Sequence, residues 1–130
     1  MNAFAAAQWD RAGRALASAR QLVESDPDSA ASRAYYAAFH GLTALFALRG
    51  KTFTKHSAIR AALHQHLVGP GELSKACGRD YDFLMDLRET GDYGGLAQVS
   101  ADDARQAVEK AERFLAAVRK ACPDVGHDLP

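Results

Sequence analysis

Three groups of residues in this chain carry side chains that could do chemistry. The first is Arg33, Tyr36 and His40, within Ser32-Arg33-Ala34-Tyr35-Tyr36-Ala37-Ala38-Phe39-His40. At about 100° per residue these three share one narrow helical stripe, with Thr43 at its edge. Arginine makes bidentate contacts to phosphate, and tyrosine can stack or donate a hydrogen bond, so the stripe could line a nucleotide or phosphate site. It could equally be a polar network that fixes a helix seam or a dimer interface. The second group is Lys55-His56-Ser57, followed by Arg60, His64 and His66. Free backbone N–H groups at a helix start, beside a lysine and a histidine, suit an anion. A capped and solvated helix end is the plainer alternative. His64 and His66 lie two apart and cannot share one helical face, which argues against a zinc pair. The third group is Leu87-Arg88-Glu89-Thr90-Gly91-Asp92-Tyr93, an arginine closing one helix with Asp92 and Tyr93 in the loop behind it. Loops on rigid scaffolds often carry function. Arg88 could also simply neutralise its helix C-terminus and pair with Asp92.

The elements that must position these groups are helices. Trp9, Ala12, Leu16, Ala19 and Val23 keep a 3-4 spacing, which predicts a first helix over about residues 5–25. Asp26-Pro27-Asp28-Ser29 stops it, with Asp28 or Ser29 as the cap of the next. A second helix, from about 30 to Leu48, is apolar nearly all round and therefore belongs at the centre of a bundle. Helix three runs to Val68 and stops at Gly69-Pro70-Gly71, and a fourth spans roughly 72–89, with Gly78 as a weak point. Gly91-Asp92-Tyr93-Gly94-Gly95 reads as a loop. Ser100 opens the last helix, where Ala104, Val108, Ala111, Leu115, Val118 and Cys122 form an apolar seam that Pro123 ends. The expected fold is all-α, an antiparallel up-and-down bundle of about five helices. It forms a single domain over 1–122 with a flexible tail at 123–130. Alanine-rich helices leave the bundle short of large apolar groups, so a homodimer is expected.

Sixteen basic residues balance sixteen acidic ones, so no overall positive field attracts nucleic acid. Cys77 and Cys122 lie far apart, without metal-ligand spacing, and read as free buried thiols of a reducing compartment. The N-terminus lacks the pattern of a signal peptide, and no apolar run is long enough to span a bilayer. A cytoplasmic protein away from membranes is expected, with no metal and no cofactor. No phosphate-cradling glycine loop and no C-x-x-C pair is present.

Taken together and in order, the three groups resemble the HEPN domain family, in its branch of small stand-alone proteins paired with a minimal nucleotidyltransferase. The matching segments are Ser32 to His40, Lys55-His56-Ser57 and Arg88 to Tyr93, and the likeness covers about residues 5–120. The resemblance implies a dimeric helical bundle. Many members are metal-independent RNases, several of them toxins, in which an R-x(4–6)-H motif from each subunit meets at the dimer cleft. There the histidine handles the 2′-hydroxyl or leaving-group proton, while the arginine stabilises phosphate charge. Here Tyr93 follows Arg88 where that histidine would stand, and tyrosine, titrating near about 10, is a poor proton acceptor at neutral pH. Arg60 and His66 satisfy the bare spacing but lie inside helix three.

The resemblance therefore implies first a nucleotide- or RNA-binding regulatory protein, acting with a nucleotidyltransferase in a toxin–antitoxin-like module. Its ligand-binding candidates are Arg33, Tyr36, His40, Lys55, His56 and Asp92, beside Arg88. One alternative is a metal-independent endoribonuclease using Arg88 with a histidine from elsewhere, such as His40 or His56. In another, Tyr93 accepts a nucleotidyl group from the partner, since the family supplies a precedent for a modified motif tyrosine. A ligand-free dimerisation bundle completes the set.

Overall fold

The computed structural model describes residues 2–95 and 98–127. Five α-helices make up the fold: α1 (Ala3–Leu22), α2 (Pro27–Leu48), α3 (His56–Ala62), α4 (Lys75–Tyr93) and α5 (Ala101–Ala121). Among the described residues there is no strand, and none of the helices is long and apolar enough to cross a membrane. The all-α bundle expected from periodicity is thus the fold.

α2 lies at its centre, packed against α1, α4 and α5. Its small residues Ala30, Ala31, Ala34, Ala37, Ala38 and Ala44 are buried, together with Leu42, Leu45 and Phe46. Small side chains let neighbouring helix axes come close, most tightly at Gly41. A methyl group there would stand 2.3 Å from the Leu115 side chain of α5 and 3.3 Å from the Trp9 ring of α1. α5 supplies the complementary apolar seam of Ala104, Val108, Ala111, Leu115 and Val118.

The caps follow side-chain chemistry. Asn2, Ser74 and Ser100 accept hydrogen bonds from the N–H groups of Ala5, Cys77 and Asp103, each filling one orphan donor of a first turn. α2 starts earlier than about residue 30: Asp26 is its cap, accepting from Ser29 N–H, and Pro27 fills the first turn where a missing N–H costs nothing. Asp28 does different work. It accepts from Val99 N–H at 2.8 Å and ties the segment before α5 to the start of α2.

Two more departures bear on the site. α3 is short and continues into a π-helical turn, Leu63–Val68, where Gly69 N–H bonds the His64 carbonyl at 2.8 Å. α4 does not stop near 89 but runs to Tyr93, so Gly91 and Asp92 are helical rather than a loop. Gly91 belongs there because a Cβ would come within 2.8 Å of the Asp28 carbonyl oxygen, so only glycine lets the end of α4 touch the start of α2. Gly78 does not weaken α4 either; it is buried where a Cβ would meet His64.

After α5, Pro123–Val125 forms a 3₁₀ turn with Val125 buried, and the Trp9 indole donates to the His127 carbonyl at 2.7 Å. Residues 128–130 of the expected tail lie outside the described residues. Cys77 and Cys122 are free and only half-buried.

Candidate functional site

The expected stripe on α2 is real, and its members face different neighbours. Arg33 lays its guanidinium over the Tyr36 ring, 5.0 Å from the centroid. One turn on, the Tyr36 and His40 rings are 6.0 Å apart. His40 turns toward α1, its Nδ1 2.7 Å from Gln8 Oε1. Burial holds its pKa down to about 4, reinforced by the positive charges of Arg11, Arg33 and Arg14 and by His56. At neutral pH the ring is therefore uncharged and donates from Nδ1 to Gln8, which leaves Nε2 as an acceptor.

The helical continuation of α4 places Arg88 and Asp92 one turn apart on one face, with Arg88 Nη1 3.8 Å from Asp92 Oδ2. Arg88 does not close its helix. It points inward between the two adjacent tyrosines of α2, 4.9 Å from the Tyr35 ring centroid and 5.8 Å from that of Tyr36. Its Nη1 donates a long 3.4 Å hydrogen bond to the Tyr36 hydroxyl. Only 12% of its side chain is exposed, and its buried Nε has no hydrogen-bond partner among the described residues.

The residue that joins these parts is Tyr35, whose ring lies on the apolar side of α2 by spacing alone. Fully buried, its hydroxyl must find partners. It lies 2.6 Å from His56 Nδ1 and accepts at 3.4 Å from the hydroxyl of Tyr81 on α4. His56, at the start of α3, stacks on Phe39 with centroids 4.5 Å apart and meets Tyr36 edge-on at 5.8 Å. Burial, then the charge of Arg88, lowers its pKa below the usual histidine value. Burial pushes the Tyr35 phenol up, and that of Tyr81 well up, so both stay neutral at physiological pH. Around Arg88 the site is then a set of neutral rings with one carboxylate at its edge.

Arg33 also borders a cavity of about 380 Å³ lined by Leu22, Asp28, Ser29, Ser32, Gly91 and Asp92. This opening lies between Arg33 of the α2 stripe and Gly91 and Asp92 at the end of α4. Of the expected site residues, only Arg33 and Asp92 line this cavity; Tyr36, His56 and Arg88 join them through side-chain contacts beside it, and His40 lies one turn along. Lys55 does not join them; it is exposed at the cap of α3. Tyr93, the last residue of α4, is 76% exposed.

Arg60 and His64 serve another purpose. Arg60 Nε donates to Asp82 Oδ1 at 2.9 Å and His64 Nε2 lies 3.0 Å from the same oxygen, pinning α3 and its π turn to α4. His66 is exposed. Spacing gave no hint of Tyr35, Phe39 or Tyr81; the only available signal was a phenol at a buried position, which has to be paired.

Comparison with known proteins adds a family to this geometry. The HEPN domain profile matches residues 5–121. A UPF0332 protein of Thermotoga maritima is 35% identical over 119 residues, 90% of each chain. Another UPF0332 protein, from Gloeobacter violaceus, is 33% identical over 82% of this chain and 86% of its own. A Methanocaldococcus jannaschii protein named "Putative toxin MJ0605" is 27% identical over 74% of this chain and 71% of its own.

Proposed function

This chain belongs to the HEPN domain family, and from that premise we propose that it is a regulatory member that holds a nucleotide or an RNA segment against Arg33, Tyr36 and Arg88. It acts with a nucleotidyltransferase partner in a toxin–antitoxin-like pair, in keeping with the toxin name of one relative. The carrying observation is Arg88: a largely buried guanidinium among neutral rings, one carboxylate 3.8 Å away, its Nε unpaired. A buried charge so thinly partnered is completed by an anion, and a phosphate offers the bidentate match. Tyr36, gripped by Arg33 and half-exposed, presents a ring edge on which a base can rest.

Titration with ATP and with a single-stranded RNA, followed by amide resonances, tests the binding half. Shifts should centre on Arg33, Tyr36 and Arg88, and their absence with both ligands defeats it. Co-expression with the neighbouring nucleotidyltransferase tests the partner half: a complex on size exclusion is expected, and two separate peaks refute it.

One observation favours a second reading, metal-independent RNA cleavage. His56 and Arg88 converge on Tyr35, and His56, held below its usual pKa, is neutral at physiological pH. A histidine can take the 2′-hydroxyl proton while that oxygen attacks phosphorus and the 5′-oxygen departs, with arginine steadying the phosphoryl charge. This reading expects cleavage in EDTA that Arg88→Ala abolishes; equal residual cleavage in that variant points to contamination. The exposure of Tyr93 supports its role as a nucleotidyl acceptor from the partner, with pyrophosphate released from ATP. Intact mass after incubation with partner and ATP decides this, since an unmodified Tyr93 removes it.

A further inference from the structure

A second cavity, of about 200 Å³, opens between α1 and α2 on the far side of Arg33 from the Asp92 opening. It is lined by Arg11, Arg14, Ala15, Ser18, Arg33 and His40. At roughly 30 Å³ per water it has room for about seven waters, enough for a phosphate group. Three guanidinium groups, one hydroxyl and one imidazole face it, and no carboxylate does.

Six other arginines are ion-paired: Arg20 with Glu112, Arg49 with Glu72, Arg60 with Asp82, Arg88 with Asp92, Arg105 with Glu24 and Asp102, and Arg113 with Asp80. Arg11 and Arg14 have no carboxylate within ion-pair distance among the described residues. Arg33 has only the Tyr36 ring. Of the acids near these arginines in sequence, Asp10 lies beside His127, Glu24 pairs with Arg105, and Asp28 accepts from Val99 N–H and lines the other opening. In a chain of zero net charge, three clustered unpaired guanidiniums repel one another without any folding benefit. Burial first, and then the charges of Arg11, Arg33 and Arg14, hold the His40 imidazole down and uncharged beside them.

We propose that the Arg11–Arg14–Arg33 cavity between α1 and α2 is a phosphate-binding site, occupied by an RNA backbone phosphodiester or by the phosphate of a free nucleotide. Arg11 and Arg14 supply the charge from α1, Ser18 a hydroxyl donor, and Arg33 the shared wall with the opening beside Asp92. The site does not require Arg88 to bind anything, so it stands or falls apart from the reading above.

The test is Arg11→Gln/Arg14→Gln in the full-length protein. Both positions are exposed on a helix, and glutamine is nearly as good a helix former as arginine, so the fold is retained. Pyrophosphate and a single-stranded RNA dodecamer serve as probes, with Arg88→Gln as a parallel variant. Wild type should show pyrophosphate-induced shifts at Arg11 to Ser18 and Arg33 to His40, and the double variant should lose at least tenfold in affinity. Arg88→Gln should keep those shifts. If RNA is the source, the double variant also weakens RNA binding, and its slope of log affinity against log salt falls by about 1.4, roughly 0.7 for each lost contact to a single strand. If free phosphate is the source, only the pyrophosphate response changes. Unchanged binding of both probes in the double variant, or binding of neither by wild type, overturns the proposal.

Discussion

Replacing Tyr35 by Phe removes one oxygen from the centre of the site and nothing else. The ring keeps its neighbours Tyr36, Phe39, His56 and Tyr81, with centroids 5.2 to 6.0 Å away. The lost hydroxyl served two groups. His56 is only half-buried, so water can replace the 2.6 Å partner of its Nδ1. Tyr81 is fully buried, and its hydroxyl donates to Tyr35. Once orphaned, that hydroxyl costs about 1–3 kcal/mol. Unfolding entropy near about 2.1 cal/mol/K per residue makes this a fall in Tm of about 4–11 °C for a domain of this length. Tyr81→Phe removes only a long 3.4 Å bond and leaves Tyr35 paired with His56, so it should cost less than about 1 kcal/mol. The double variant leaves no buried hydroxyl unpaired and should be more stable than Tyr35→Phe alone. Urea unfolding of the three variants reads this directly. Additive losses, or a Tyr81→Phe loss as large as that of Tyr35→Phe, refute the hydroxyl chain.

Three further outcomes are expected. The His40 imidazole should titrate near pH 4 by NMR. Because its folded pKa lies below the unfolded value of about 6.5, the unfolded chain binds the extra proton, and stability should fall as pH drops from about 6.5 toward 4. His40→Gln should flatten that part of the stability profile, and an unchanged profile excludes His40 as its cause. Gly91→Ala should destabilise by about 1–3 kcal/mol in chemical denaturation, since the Asp28 carbonyl cannot yield to a Cβ 2.8 Å away; a neutral result would mean α4 and α2 do not meet there. Asp28→Ala should cost about 1 kcal/mol and speed hydrogen exchange at Val99 N–H, whereas exchange at the wild-type rate contradicts the 2.8 Å bond.

How far the site could be read from residues alone differs group by group. Arg33, Tyr36 and His40 were legible because 3-4 spacing forces them onto one stripe of any helix, whatever surrounds it. Arg88 and Asp92 were found, but Gly91, Gly94 and Gly95 together read as a loop. The helix persists through Gly91 because a tertiary contact with Asp28 needs a residue without Cβ, which composition cannot reveal. Lys55 and His56 are neighbours in sequence, yet the turn of α3 stacks His56 on the aromatic cluster and leaves Lys55 in water. Spacing joins Tyr35 to Phe39 and Leu42, an apolar set by period, and so does not mark its hydroxyl as part of the site. Arg11 and Arg14 look like an ordinary solvated helix face until Arg33 of α2 is brought opposite them.

Arg88 is the cation that a nucleotide or RNA phosphate would complete. Fluorescence anisotropy of a labelled single-stranded RNA, with wild type and Arg88→Gln compared at one fixed salt concentration, measures that claim. Circular dichroism melts of the same samples establish that both are folded. A loss of tenfold or more in affinity, equivalent to about 1.4 kcal/mol, is predicted for the folded variant. Equal affinity in a folded Arg88→Gln protein contradicts it.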